Sequence, residues 1–341
     1  MITTNISPGR FRALKLSALF LCAAGCLPAL GYNFTFLNDP LAGTGSGQGT
    51  RAAGIYGSTI VGQYTDSNNE THGFIYNGTS YTTLDDPLAD GVTTAWGVYG
   101  NNVVGYYRDS QGVDHGFLYN GSSYTTLDDP LGANGSLAFG IYSNTIVGNY
   151  INGGFLSQGF AYNGSSYATL NDPAGAITYA YGVYGSTIAG VYQTGAGYFG
   201  FTYNGSTYTT LPGSGYLPYG IGANFIVGSQ PIGGFDHGFV FNGSTYSLVQ
   251  PAGAIQSDLT GVYGNTVAGY YTDANGVNHG IITTVPEPGT LWLSGLGLFL
   301  GGTLAWTVSV TWHHQRQISS STGPMLPSPP GARATAPPPA L

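Results

Sequence analysis

Between residues 54 and 284 short runs rich in Val, Ile, Tyr and Thr alternate with Gly, Asn and Asp, and the runs return in a fixed order. The clearest copy reads Gly97-Val98-Tyr99-Gly100, then Asn102-Val103-Val104-Gly105-Tyr106-Tyr107, then His115-Gly116-Phe117-Leu118-Tyr119-Asn120-Gly121, then Ser123-Tyr124-Thr125-Thr126-Leu127-Asp128-Asp129-Pro130. Each run is four to eight residues long, carries the residues that suit a pleated surface and is bounded by turn formers, so each unit predicts four strands. In the second strand Ile60 and Tyr64 fall on one face and Val61 on the other, and Val103-Val104, Ile146-Val147 and Val267-Ala268 are likewise apolar on both faces. A strand with two apolar faces belongs to a sheet covered on both sides. Asn-Gly pairs at Asn77, Asn120, Asn163, Asn204 and Asn242 separate the third run from the fourth and predict two-residue hairpin turns with both residues at positive φ. Each is followed by Ser or Thr and so also spells a glycosylation sequon, which turn chemistry already explains.

The unit begins at Gly54, Gly97, Gly140, Gly182, Gly220 and Gly261, at spacings of 43, 43, 42, 38 and 41, a period that belongs to propellers or solenoids. The ends of the array decide between them. The last unit supplies three strands and stops at His279-Gly280-Ile281-Ile282, while the missing fourth stands at the beginning, where Phe34-Thr35-Phe36-Leu37-Asn38-Asp39-Pro40-Leu41 matches the stretch from Tyr124 to Leu131. A rod has no use for this arrangement; a ring closed by pairing its first strand into its last blade hides its edges by it. The expected fold over residues 32–284 is therefore all-β, a six-bladed β-propeller closed by an N-terminal strand. Gly62, Gly105, Gly148, Gly190, Gly228 and Gly269 recur at one strand position, where backbone must approach closely or bulge.

The two ends carry a different pattern. Arg10, Arg12 and Lys15 precede an apolar run from Leu16 to Leu30, the order of a secretory signal, with residues 1–31 removed before Tyr32. Ala23-Ala24-Gly25-Cys26 offers a lipoprotein-type alternative. Both cysteines, Cys22 and Cys26, lie in the leader, so cleavage before Tyr32 leaves no thiol for disulfides, thiolate chemistry or metal. Leu291 to Trp312 holds 22 residues without a charge, enough at about 1.5 Å per residue to cross a bilayer as a single transmembrane helix. Arg316 follows it, placing the C-terminal side in the cytoplasm and the repeats outside. Residues 317–341, rich in Pro, Ser and Ala, predict a disordered tail.

Val285-Pro286-Glu287-Pro288-Gly289-Thr290, followed by that helix and its basic flank, resembles the PEP-CTERM sorting signal of exopolysaccharide-making Gram-negative bacteria, over about residues 285–316. The resemblance implies a sorting motif at Val285, Pro286, Glu287 and Pro288, an exosortase as processing partner, and release of the ectodomain to the cell surface or extracellular matrix. The repeat itself resembles the extracellular HAF-type repeat, through His-Gly-Phe at His72, His115 and His237, His279-Gly280-Ile281, Gln158-Gly159-Phe160 and Phe199-Gly200-Phe201. That resemblance implies an extracellular propeller-like module and no particular reaction.

Only 6% of residues are charged, and residues 32–285 set 14 acids against Arg51 and Arg108, a net charge of −12. Phosphate backbones need the opposite sign, so nucleic acid is excluded as a partner. The histidines of the repeat stand one blade apart, too far to share a metal ion. Asp85-Asp86 and Asp128-Asp129, each before Pro, are weak candidates for Ca²⁺ and read first as turn formers, and no cofactor is expected. Asp66, Asp109 and Asp273 form a second acidic loop set with the same reading. Residues that break the repeat, namely Glu70, Arg51, Arg108, Asp236 and Asp258, form no nucleophile, base and oxyanion set, so no enzyme is predicted. Tyr81, Tyr124, Tyr167, Tyr208 and Tyr246 form a column that packing between strands explains first. The functional expectation is a non-enzymatic surface or matrix protein, with a carbohydrate-binding or carbohydrate-active propeller as the alternative.

Overall fold

The computed structural model describes residues 32–286, and the leader, Glu287, Pro288, the predicted helix 291–312 and the tail lie outside them. Among the described residues no helix is long and apolar enough to cross a membrane. The strands are β1 (Phe34–Leu37); β2 (Gly49–Tyr56), β3 (Thr59–Thr65), β4 (Thr71–Tyr76) and β5 (Tyr81–Leu84); β6 (Thr93–Tyr99), β7 (Asn102–Arg108), β8 (Asp114–Tyr119) and β9 (Tyr124–Leu127). They continue as β10 (Ser136–Tyr142), β11 (Thr145–Ile151), β12 (Ser157–Tyr162) and β13 (Tyr167–Leu170); β14 (Ile177–Tyr184), β15 (Thr187–Thr194), β16 (Gly197–Tyr203) and β17 (Tyr208–Thr210). The last are β18 (Leu217–Ile221), β19 (Ile226–Ile232), β20 (Phe235–Phe241) and β21 (Tyr246–Leu248); β22 (Gln256–Tyr263), β23 (Thr266–Thr272) and β24 (Asn278–Thr284).

The fold is an all-β propeller of antiparallel meanders. Four meanders, β6–β9, β10–β13, β14–β17 and β18–β21, are separate four-stranded sheets, and the remaining strands join in one eight-stranded sheet. Within that sheet β1 pairs with β24 from Phe34 opposite Thr283 to Leu37 opposite Gly280, so the first strand completes the last meander. A single parallel bridge from Gly49 to Asn278 links this meander to β2. The inner strands touch in cyclic order, β2 to β6, β10, β14, β18, β22 and back to β2, so the ring is closed.

Closure rests on the repeated glycines. A Cβ placed on Gly54, Gly97, Gly140, Gly182, Gly220 or Gly261 would lie 2.5–3.0 Å from a backbone carbonyl oxygen of the next inner strand, those of Trp96, Phe139, Tyr181, Tyr219, Thr260 and Ala53 in turn. No side chain fits there, because the strands converge on the axis until backbone meets backbone. The glycines of the second strands do a different job: a Cβ at Gly148, Gly190 or Gly228 would strike the ring of Phe160, Phe201 or Phe239 and the carbonyl of the inner strand. Those phenylalanines, with Phe74, Phe117 and Ile281, are fully buried, one to each third strand, and each contributes about 1.5–3 kcal/mol by leaving water. The Tyr column completes the packing edge-on, with Phe117 to Tyr124 at 5.4 Å and Phe239 to Tyr246 at 5.2 Å between ring centroids.

The Asn-Gly turns correct one expectation. Tyr76 pairs with Tyr81, leaving a four-residue loop, and Gly78 has φ 99° while Asn77 stays out of the positive-φ region. Asn77 instead turns its side chain inward, and its Oδ1 accepts from the backbone N–H of Thr79 at 3.0 Å and of Ser80 at 2.9 Å. The hydroxyl of Thr79 donates to the same oxygen at 2.9 Å, and those of Ser122, Ser165 and Ser206 do the same in their loops, which gives the Ser or Thr of these apparent sequons a structural task.

Inner strands run from one mouth of the ring to the other end, and each following strand reverses. The far end carries a collar of Tyr56, Tyr99, Tyr142, Tyr184 and Tyr263, with neighbouring rings 4.8–5.1 Å apart. β24 ends at that collar: Thr284 pairs with Thr266, and Val285 donates its N–H to the Asn265 carbonyl at 2.7 Å. The chain therefore leaves toward Pro286 on the face opposite the mouth. Replacing Gly97 by Ala is expected to destabilise the ring by about 1–3 kcal/mol through overpacking. The control is Gly195→Ala, where an added Cβ meets nothing within 4 Å. Thermal unfolding compares the two, and equal melting temperatures would contradict closure by backbone contact.

Candidate functional site

The ring glycines also place the side chains of the mouth. At each one the register between first and second strand slips, between Ala52 and Gly54, Ala95 and Gly97, Ala138 and Gly140, Ala180 and Gly182, Pro218 and Gly220, and Leu259 and Gly261. A β-bulge re-aims the residue it leaves unpaired. Here that residue is Ala53, Trp96, Phe139, Tyr181, Tyr219 or Thr260. Four of the six are aromatic and form an arc of successive contacts, Trp96 to Phe139 at 5.2 Å, Phe139 to Tyr181 at 5.1 Å and Tyr181 to Tyr219 at 5.2 Å.

The arc walls a cup of two adjoining hollows. One, of 270 Å³, is bounded by the arc together with Tyr106, Leu137, Asp258, Thr260 and Tyr270. The other, of 280 Å³, is bounded by Tyr179, Val191, Tyr198 and Leu217 and shares Tyr181 and Tyr219 with the first. Below them the axis narrows to a throat of 80 Å³ lined by the ring glycines.

Two of the residues that break the repeat meet at this mouth. Asp258 is 6% exposed, and burial pushes its carboxyl above the ordinary value, opposed by hydrogen bonds from the Tyr270 and Ser229 hydroxyls. Arg51 sits over the Tyr270 ring, its guanidinium carbon 4.8 Å from the centroid. Burial and the neighbouring Asp258 both push the Tyr270 and Tyr219 phenols up, so both remain protonated donors. Two polar atoms near the cup are buried without a hydrogen-bond partner: Nε1 of Trp96, and Oδ1 of Asn149, which lies opposite Leu137 across the β10–β11 ladder.

The other predicted residues lie apart from the cup. Asp85 bonds Nδ1 of His72 at 2.9 Å and Asp128 that of His115 at 2.8 Å, whereas Asp86 and Asp129 are buried and accept from the backbone N–H of Leu88 and Leu131, each at 2.9 Å. The two carboxylates of each pair thus serve different partners. Histidines stack on the second-strand tyrosines, Tyr64 on His72 at 5.0 Å and Tyr107 on His115 at 5.2 Å. The departures from His keep that contact, Phe199 stacking on Tyr192 at 5.5 Å and Gln158 accepting from the Tyr150 hydroxyl at 2.6 Å. Among the symmetry breakers, Arg108 is paired with Asp114 through two bonds of 2.8 and 3.1 Å. Asp66, Glu70 and His72 bring ligand atoms within 4.8 Å of one another, and Asp66 is already spent on the backbone N–H of Asn68 and Glu70. Of the sorting motif, Val285 is buried at the collar, Pro286 is half-buried, and Glu287 and Pro288 lie outside the described residues.

Sequence reasoning missed the aromatic arc. Its signal was present: the position before each ring glycine reads Ala, Trp, Phe, Tyr, Tyr, Thr, a variable column in an otherwise repetitive array.

Residues 284–307 match the PEP-CTERM protein-sorting motif. No curated protein matches the chain. Solved structures similar to it include a mutant of the Aleuria aurantia lectin in complex with α-methyl-L-fucoside, 13% identical over 69% of this chain and 93% of that one, with a TM-score of 0.45. The β-propeller domain of the Trilobed protease from Pyrococcus furiosus is 9% identical over 72% and 82%, with a TM-score of 0.48. TolB from Acinetobacter baumannii is 12% identical over 67% and 65%, with a TM-score of 0.46.

A carboxyl raised by burial favours folding while it is protonated, and that contribution fades as the pH rises through its folded value. Asp258→Asn is therefore expected to raise the melting temperature at pH 7, with the gain disappearing below about pH 4, where Asp is protonated in the unfolded chain too. Melting curves across pH 3–8 check this; a lower melting temperature for the variant at pH 7 contradicts it.

Proposed function

We propose that this chain is an exported, non-enzymatic surface protein, a six-bladed propeller sorted at its C-terminus and held at the cell surface or released into an exopolysaccharide layer. The observation that carries this reading is the sorting motif at residues 284–307, directly after the last strand of the ring. The count of six takes the eight-stranded sheet as two blades joined by the Gly49–Asn278 bridge, in keeping with the cyclic contacts of the inner strands. On this reading Leu291–Trp312 anchors the chain in the inner membrane, Arg316 marks the cytoplasmic side, and an exosortase cuts at Pro286-Glu287-Pro288. The repeats belong with extracellular HAF-type modules, and their −12 charge over residues 32–285 suits a partner other than nucleic acid.

Carbohydrate binding is the second reading, and the cup favours it. Aromatic faces accept the apolar face of a sugar ring, and Tyr and Trp add hydrogen-bonding edges. Asp258 is the one carboxylic acid bounding the larger-walled hollow, whereas glycoside hydrolysis generally needs two that flank the bond, so binding is favoured over turnover.

In cells containing the matching exosortase, intact-mass analysis should find a shortened product ending near Pro288 in the released fraction. Glu287→Ala should shift protein to the full-length membrane fraction. A C-terminus at Leu341 in both fractions would leave an ordinary anchor and no sorting.

A further inference from the structure

We infer that the cup binds the end of an uncharged polysaccharide chain, seating two consecutive sugar rings in its two hollows. The inference rests on the carbohydrate-binding reading and deepens it. A pyranose ring presents C–H faces that stack on aromatics and a rim of hydroxyls that need donors and acceptors. The cup supplies both in one place: the arc from Trp96 to Tyr219 for the faces, and for the rim the hydroxyl-bearing Tyr106, Tyr270 and Thr260, of which Tyr270 donates to Asp258 and Thr260 to the Ala52 carbonyl, leaving their oxygens to accept. The second hollow repeats the arrangement with Tyr179 and Tyr198, and Tyr181 and Tyr219 border both, so a ring in each would be joined across a shared wall.

Two further observations point to a polar ligand. A buried polar atom without a partner costs about 1–3 kcal/mol, and the Nε1 of Trp96 and the Oδ1 of the 4%-exposed Asn149 are such a donor and acceptor, both on the strands that build the mouth. Three other buried polar atoms among the described residues lack a partner, Oδ2 of Asp39 and of Asp129 and the Tyr246 hydroxyl, so it is the place of these two beside the hollows that points to a polar ligand.

The shape selects an end rather than a threaded chain. The throat holds 80 Å³, less than a third of either hollow, and at the ring glycines it is pinched by backbone against backbone, which cannot swing aside. Charge selects an uncharged sugar. Asp258 borders the cup, Asp236 lies close enough to disfavour its ionisation, and residues 32–285 carry −12, so a uronic acid would be repelled. Arg51, held over the Tyr270 ring, keeps its charge and offsets only one of these two carboxylates. The mouth also faces away from the end of the ring where the chain leaves at Val285, which keeps it open if the C-terminus is tethered.

The test uses the full-length protein in detergent micelles on an array of uncharged and acidic oligosaccharides of two to six units, with tripeptides as a parallel set. Uncharged glycans should bind and acidic ones should not. For a glycan that binds, Trp96→Phe, which keeps the ring against Phe139 and removes the Nε1 donor, should weaken binding roughly tenfold, the consequence of one lost buried hydrogen bond. Tyr198→Ala should abolish the gain from the second sugar unit and leave the first unchanged. The free trisaccharide should compete mole for mole with a polymer of the same linkage. A competition that strengthens in proportion to polymer length would mean side-on binding and overturn the chain-end assignment alone. Glycan binding unchanged in both variants would overturn the cup as the site. Binding of tripeptides, or of no glycan on the array, would overturn the inference and the carbohydrate reading together, while leaving the sorting result to stand or fall by its own mass analysis.

Discussion

Everything in this ring depends on the meeting of backbone with backbone at the axis. Inner strands converge until the Cα of one glycine lies against a carbonyl of the next strand, and the last such contact, Gly261 on Ala53, joins the final meander to the first. A methyl group at any of these positions would hold two sheets apart, and because the ring is closed the displacement would pass to every other interface. The chain therefore repeats glycine where it can least tolerate a side chain, and accepts the conformational freedom that glycine brings to the unfolded state.

That same contact creates the cup. A strand that must tuck glycine against its neighbour slips its register there, and the slip turns the preceding side chain into the mouth. The scaffold thus offers one inward position per meander whose identity packing leaves open. Aromatic residues fill four consecutive ones, and Asp258 and Arg51 occupy the position two residues earlier on their strands. Similar meanders make the frame, and unlike residues at one column line the mouth.

Much of the frame was legible in the sequence because its causes are local and repeated. Gly148 and Phe160 recur as a pair since the phenyl ring occupies the space the glycine vacates, and the strand at Phe34 announced its pairing with β24 by spelling the missing run. The Asn-Gly loops were misread although their cause is local as well: the Asn77 side chain holds the N–H groups of Thr79 and Ser80, two and three residues on, and so fixes a four-residue loop in place of a two-residue turn. The cup was not legible from the repeat: with each unit beginning at its glycine, Trp96, Phe139, Tyr181 and Tyr219 fall in the gap between units. Arg51 and Asp258 stood out as exceptions, but only the closed ring brings residues about 200 positions apart to one mouth.

Native-state hydrogen exchange, followed by mass spectrometry on peptides covering residues 33–38 and 278–285, tests ring closure most directly. If β1 is the strand that closes the ring, its amides should exchange only with global unfolding and at the rate of β24, since opening that seam exposes the whole circle of contacts. Rapid exchange of residues 33–38 while the rest of the ring stays protected, the behaviour of a frayed terminus, would contradict it.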